Sequence, residues 1–97
     1  MKIETITRKL KDICAELGKK YSIKMIDLEQ IIYRKFNDNY DVEISGLNNN
    51  RKKFKANIYV WDIDHKYLIV ERFSEILSID ELKEKLAYIE NKYGNIN

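Results

Sequence analysis

A chain of 97 residues, 44% hydrophobic and 35% charged, has room for one domain over residues 1–97 and not for two. A net charge of +2 on so apolar a chain excludes the composition of a disordered protein. A single cysteine, Cys14, excludes an internal disulfide, and no apolar run approaches the roughly 18 residues of a membrane span. The charged start MKIETITRKLKD carries no secretory pattern, so the expectation is a cytoplasmic protein with no membrane partner.

In chain order, Ile3, Ile6, Leu10, Ile13 and Leu17 recur at three- and four-residue steps and predict a first helix. Gly18 stops it, since the residue after a helix favours a left-handed backbone without a Cβ. Residues 19–25 are ambiguous. Tyr21, Ile23 and Met25 alternate as in a strand, yet the segment could extend either neighbouring helix. A second helix is expected from near Asp27, where Asp27 and Gln30 have capping-box spacing and Ile26 and Ile31 the spacing of a hydrophobic staple. Leu28, Ile31, Ile32 and Phe36 would form its apolar stripe, ended by Asn37-Asp38-Asn39.

Three strands follow. Tyr40, Val42 and Ile44 alternate with Asp41, Glu43 and Ser45; Phe54, Ala56, Ile58 and Val60 alternate with Lys55, Asn57, Tyr59 and Trp61. Between them lies the polar loop GLNNNRKK. Asp62-Ile63-Asp64-His65 turns the chain into a third strand over 66–73. Ser78 and Glu81 open the last helix as a capping box, Ile79, Leu82, Leu86, Ile89 and Tyr93 form its stripe, and Gly94 closes it. The expected fold is α+β, in the order ααβββα: two N-terminal helices, a three-stranded antiparallel sheet and a C-terminal helix, with the helices on one sheet face.

On that plan Tyr59 and Trp61 project from the helix-free face beside Lys53 and Lys55. Aromatics among cations can stack bases or anchor a protein partner; the bland alternative is that another element covers them. Charge comes in blocks, with residues 46–55 carrying four basic groups and no acid. Arg51, Lys52, Lys53 and Lys55 are therefore candidate phosphate contacts, or simply a solvated loop. Nucleic acid is thus a possible partner, through this loop and the aromatic face.

Asp64-His65-Lys66 after a strand resembles the half-motif of restriction-endonuclease-like nucleases. That resemblance implies a divalent metal held by Asp64 with Asp41 or Glu43, and a water oriented by Lys66. A turn in which aspartates bond backbone amides is the plain alternative. Residues 13–18 also have the look of the first helix and glycine turn of a helix-turn-helix, although Lys24 and Asp27 stand where apolar residues belong. No phosphate-cradling glycine loop, cysteine pair or serine–histidine arrangement appears, so neither a catalytic residue nor a cofactor is assigned.

In size, element order and patches of charge, the chain resembles the small phage and mobile-element proteins of the anti-CRISPR type. The resemblance implies a non-enzymatic inhibitor that binds a host or effector protein that handles nucleic acid. Asp41, Glu43 and Glu71 would then occupy a groove made for phosphate. The stripe of the first helix suits a monomer's core or a homodimer equally.

Overall fold

The computed structural model describes residues 5–36, 38–64 and 68–94. Along the chain stand α1 (Arg8–Leu17), β1 (Ser22–Ile26), β2 (Glu29–Phe36), β3 (Tyr40–Ser45), β4 (Ala56–Asp62), β5 (Leu68–Ile76) and α2 (Ile79–Tyr93). The five strands form one antiparallel meander in the order β1-β2-β3-β4-β5. The fold is α+β, but the expected ααβββα order is overturned: the described residues hold two helices, not three, and five strands, not three.

The difference lies in residues 27–36, while the ambiguous segment 19–25 supplies most of β1. Asp27 and Leu28 have φ of 51° and 68°, so they form the two-residue loop of a β-hairpin rather than a helix start. Gln30 pairs with Met25 across that hairpin instead of reaching back to a cap. The apparent helical stripe comes from a strand buried on both faces. Ile32 and Phe36 enter the main core, whereas Ile31 is 3% exposed yet stands outside that core cluster, on the opposite face. Adjacent isoleucines on opposite faces of a strand mimic the i, i+1 members of a helical face. The hairpin also removes the second helix on which a helix-turn-helix depends.

The remaining elements follow from local chemistry. Thr7 caps α1, its Oγ1 accepting from the Leu10 amide at 3.2 Å. Ile3 lies outside the described residues. Gly18, with φ of 108°, ends α1 in a conformation that side chains with a Cβ rarely adopt. In α2 the Ser78 Oγ accepts from the Glu81 amide at 3.1 Å, and the Glu81 carboxylate reaches the Leu77 amide at 3.0 Å. The reciprocal half of the box thus falls one residue early. The third expected strand, 66–73, is realised as β5, which continues to Ile76; its first two residues lie outside the described ones.

The core sits between the helices and one sheet face. Leu10 and Cys14 of α1 and Leu82, Leu86, Ile89 and Tyr93 of α2 join Ile32, Phe36, Val42, Ile44, Ala56, Ile58, Val60 and Ile76 in one cluster. Burial pushes the Cys14 thiol up, away from the reactive thiolate. Arg34 is a charged member of this layer, 9% exposed, with its guanidinium 4.1 Å from the Phe36 ring centroid. It donates to Glu90 of α2 at 3.2 Å and to the Tyr21 hydroxyl at 3.4 Å, fastening α2 to the sheet. No helix among the described residues is long and apolar enough to cross a membrane.

Candidate interaction face

Because side chains alternate along a strand, packing both helices on one face leaves the other to a second set of residues. Strand register places Glu43 opposite Tyr59, Asp41 opposite Trp61 and Ser45 opposite Asn57. On the flanks, Tyr33 stands opposite Glu43 and Lys35 opposite Asp41, while Arg72 faces Tyr59 and Ile69 faces Trp61. This second face therefore has two carboxylates at its centre, three aromatic rings around them, and cations toward its margins.

Asp41 is 5% exposed, accepts from the Tyr33 hydroxyl at 3.0 Å through Oδ2, and makes no hydrogen bond through Oδ1. Burial raises its pKa above the ordinary value, against the Tyr33 hydrogen bond and the charges of Lys24 and Lys35. Burial likewise raises Glu43, helped by the like charges of Asp41 and Asp27 and opposed by the Trp61 indole and Lys24. The Trp61 N–H makes no hydrogen bond of normal geometry, although it approaches Glu43 closely enough to favour the ionised form.

Between the β1–β2 turn and Trp61 lies an open hollow of about 200 Å³. Ile31 lies at its buried side, Tyr59 and Trp61 line it, and Asp27, Glu29 and Glu43 bring three carboxylates to it. Glu29 also accepts from the Gly46 amide at 3.0 Å, tying the hairpin to the end of β3. Gly46 has φ of 88°, and a Cβ there would lie 3.1 Å from the Lys55 carbonyl oxygen, so glycine is needed where the basic loop begins.

Apolar surface continues past Trp61 onto the sheet edge. Leu68, Ile69 and Val70 of β5 are 62%, 45% and 42% exposed, and β5 has a sheet neighbour on one side alone among the described strands. An exposed apolar edge strand invites pairing with another chain unless something protects it.

The structure brings four of the candidate residues, Asp41, Glu43, Tyr59 and Trp61, onto one patch. Arg51, Lys52, Lys53 and Lys55 are exposed in the 46–55 loop, which α1 holds firmly. There the Lys9 ammonium donates to Asn49 Oδ1 at 2.9 Å and to the Arg51 carbonyl at 3.1 Å, while the Thr7 amide donates to Asn48 Oδ1 at 2.8 Å. Six residue steps of extended chain carry Lys55 on the order of 20 Å from Trp61, whereas Asp41 and Glu43 stand directly opposite Trp61 and Tyr59. Glu71 does not join the other acids. It stands opposite Val60 on the helix side, where Tyr93 and Lys92 of α2 donate to it.

Of the nuclease half-motif, His65 and Lys66 lie outside the described residues, and Asp64 is exposed in the turn after β4. Among the described residues no three His, Cys, Asp or Glu side chains gather as a metal-ligand set. Sequence reasoning missed the hairpin's contribution to this face: Asp27, Glu29, Ile31 and Tyr33 were assigned to a helix. Their signal was the β-branched and aromatic run Ile31-Ile32-Tyr33.

No protein-family model, curated protein or solved structure matches the chain.

Proposed function

We propose that this protein is a non-enzymatic binding module that engages a protein partner through the helix-free sheet face and the adjoining β5 edge. The observation that carries the reading is the setting of Trp61 and Tyr59: half-buried aromatics beside Asp41 and Glu43, continuous with exposed Leu68, Ile69 and Val70. Rigid aromatics on a sheet supply contact area at little entropic cost, and Trp and Tyr dominate interface hot spots. Carboxylates between the rings repel a phosphate backbone, which disfavours the nucleic-acid reading for this face. They suit instead a protein whose own surface is basic, such as one that handles nucleic acid. On this reading the chain is an inhibitor of the anti-CRISPR type acting by occupancy, as a monomer or a homodimer.

The experiment is a tagged pull-down from lysate of the source cells after nuclease treatment, with three baits: the wild type, Tyr59→Ser/Trp61→Ala, and Lys52→Ala/Lys53→Ala. The expected result is one protein held at near-equal stoichiometry by the wild type and the loop variant, and lost by the face variant. Retention that survives the face substitutions, or that disappears with nuclease, overturns the proposal.

A further inference from the structure

The hollow beside Trp61 has a composition that the rest of the face lacks. Three carboxylates, Asp27, Glu29 and Glu43, line it, and no lysine or arginine among the described residues does. Lys24, on β1 opposite Ile31, sets its ammonium over the Tyr33 ring at 4.3 Å from the centroid; its charge is felt by Glu43, but it does not line the hollow. Asp41, directly across from Trp61 but not part of the lining, is a buried carboxylate with one oxygen unpaired.

We infer that this hollow receives the side chain of an arginine projecting from the partner protein. The inference rests on the protein-binding reading above and names the group that the face recognises. Three features converge on it. A guanidinium is flat and stacks on an indole or phenol ring, which Trp61 and Tyr59 both offer. Its planar fork of N–H donors matches carboxylates of the kind that Glu43 and Asp27 present. The isoleucines of the lining, Ile26, Ile31 and Ile69, give the aliphatic stem apolar surface while the charged head meets the acids. A volume of about 200 Å³ suits one long side chain and is too small for a nucleotide or a helix. A neutral apolar side chain would fill the space but bury the carboxylates against nothing, which costs more than the contact gains.

Trp61 is the only tryptophan, so its fluorescence reports this hollow alone. The probes are blocked tripeptides Gly-Xaa-Gly in which Xaa is arginine, lysine, citrulline or norleucine, titrated against the full chain. The expected result is a saturable change with the arginine peptide, a weaker one with lysine, and none with the two neutral peptides beyond that of free tryptophan amide. Glu43→Gln should weaken the arginine peptide by roughly threefold to tenfold. Asp27→Asn, tolerated at a positive φ, should act in the same direction if the Glu43 variant does not fold. A citrulline response equal to that of arginine, or a purely collisional response to every peptide, overturns the inference. If that happens while the pull-down still depends on Tyr59 and Trp61, the hollow is not the recognition point and the binding face stands. If both fail, both readings fall.

Discussion

Asp41 and Trp61 stand directly opposite each other on β3 and β4, and each keeps one buried polar atom without a hydrogen bond: Oδ1 of the acid and Nε1 of the indole. Two buried polar atoms without a hydrogen bond are unusual on a folded surface, because each such group costs about 1–3 kcal/mol when it is shut from water. The same pair lies on the face proposed to bind a partner. Local instability at a recognition surface is a common consequence of selecting for contact with something else.

Trp61→Phe removes the orphaned donor and keeps an aromatic ring. Loss of indole area and relief of the unpaired N–H oppose each other. The expected change in unfolding free energy is less than about 1 kcal/mol in either direction. Urea denaturation followed by far-UV circular dichroism measures it. A loss above about 2 kcal/mol would mean that the indole N–H is bonded in solution.

Asp41→Asn tests the electrostatics of the same pair. Burial raises the folded-state pKa of Asp41, the first cause, with Lys24, Lys35 and the Tyr33 hydroxyl opposing it. A carboxyl that holds its proton more tightly when folded adds stability below its unfolded pKa, and that stability is lost as pH rises through the folded value. Glu43 shifts in the same direction, and Asp41 is among its causes. The stability of Asp41→Asn relative to wild type should therefore improve as pH rises from the acid range to neutrality. Urea midpoints of the two proteins across that range decide it; a relative stability that falls with pH would contradict the assignment.

Much of this face was legible in advance, and the reason is the simple period of strands. Val42 and Ile44, or Ile58 and Val60, alternate with polar neighbours, which fixed Glu43, Tyr59 and Trp61 on the side away from the helices. Residues 27–36 were not legible for a physical reason: β2 is buried on both faces, so Ile31 and Ile32 erase the alternation. The turn hid as well. Asp27-Leu28 contains neither Gly nor Asn at the second position, the residues that ordinarily announce two positive φ values. Glu71 looked like a surface acid, yet its placement among Tyr93 and Lys92 depends on where α2 lands, which no local pattern encodes.

That turn yields a prediction of the opposite sign from most substitutions. Leu28 is 44% exposed and held at φ 68°, a conformation that costs a residue with a Cβ about 1–2 kcal/mol. Leu28→Gly relieves this cost but increases the freedom of the unfolded chain, offsetting part of it. The net expectation is a gain of about 0.5–1 kcal/mol, read from the urea midpoint. A loss of stability would place the leucine side chain in a contact that outweighs its backbone strain.

The fastening of α2 to the sheet supplies the last test. Arg34 is buried between Phe36 and Tyr21, whereas the Glu90 side chain it meets is 46% exposed. The partners are therefore unequal. Removing Glu90 leaves a buried guanidinium with the Tyr21 hydroxyl, while removing Arg34 leaves a carboxylate that still reaches water and Lys20. Glu90→Ala should cost about 1–2 kcal/mol after allowing for solvent screening of the exposed acid. The hydrogen bond from Arg34 is the main reason that Glu90 lies below the usual carboxylate range, so this stability is present above the unfolded pKa and lost as pH falls through the folded one. The penalty of Glu90→Ala should accordingly shrink in acid. Arg34→Met, which fills the space between the rings without a charge, should cost less than Glu90→Ala at neutral pH. In the Arg34→Met background, Glu90→Ala should then be nearly silent. A full penalty in that background would show that Glu90 stabilises α2 through some contact other than Arg34.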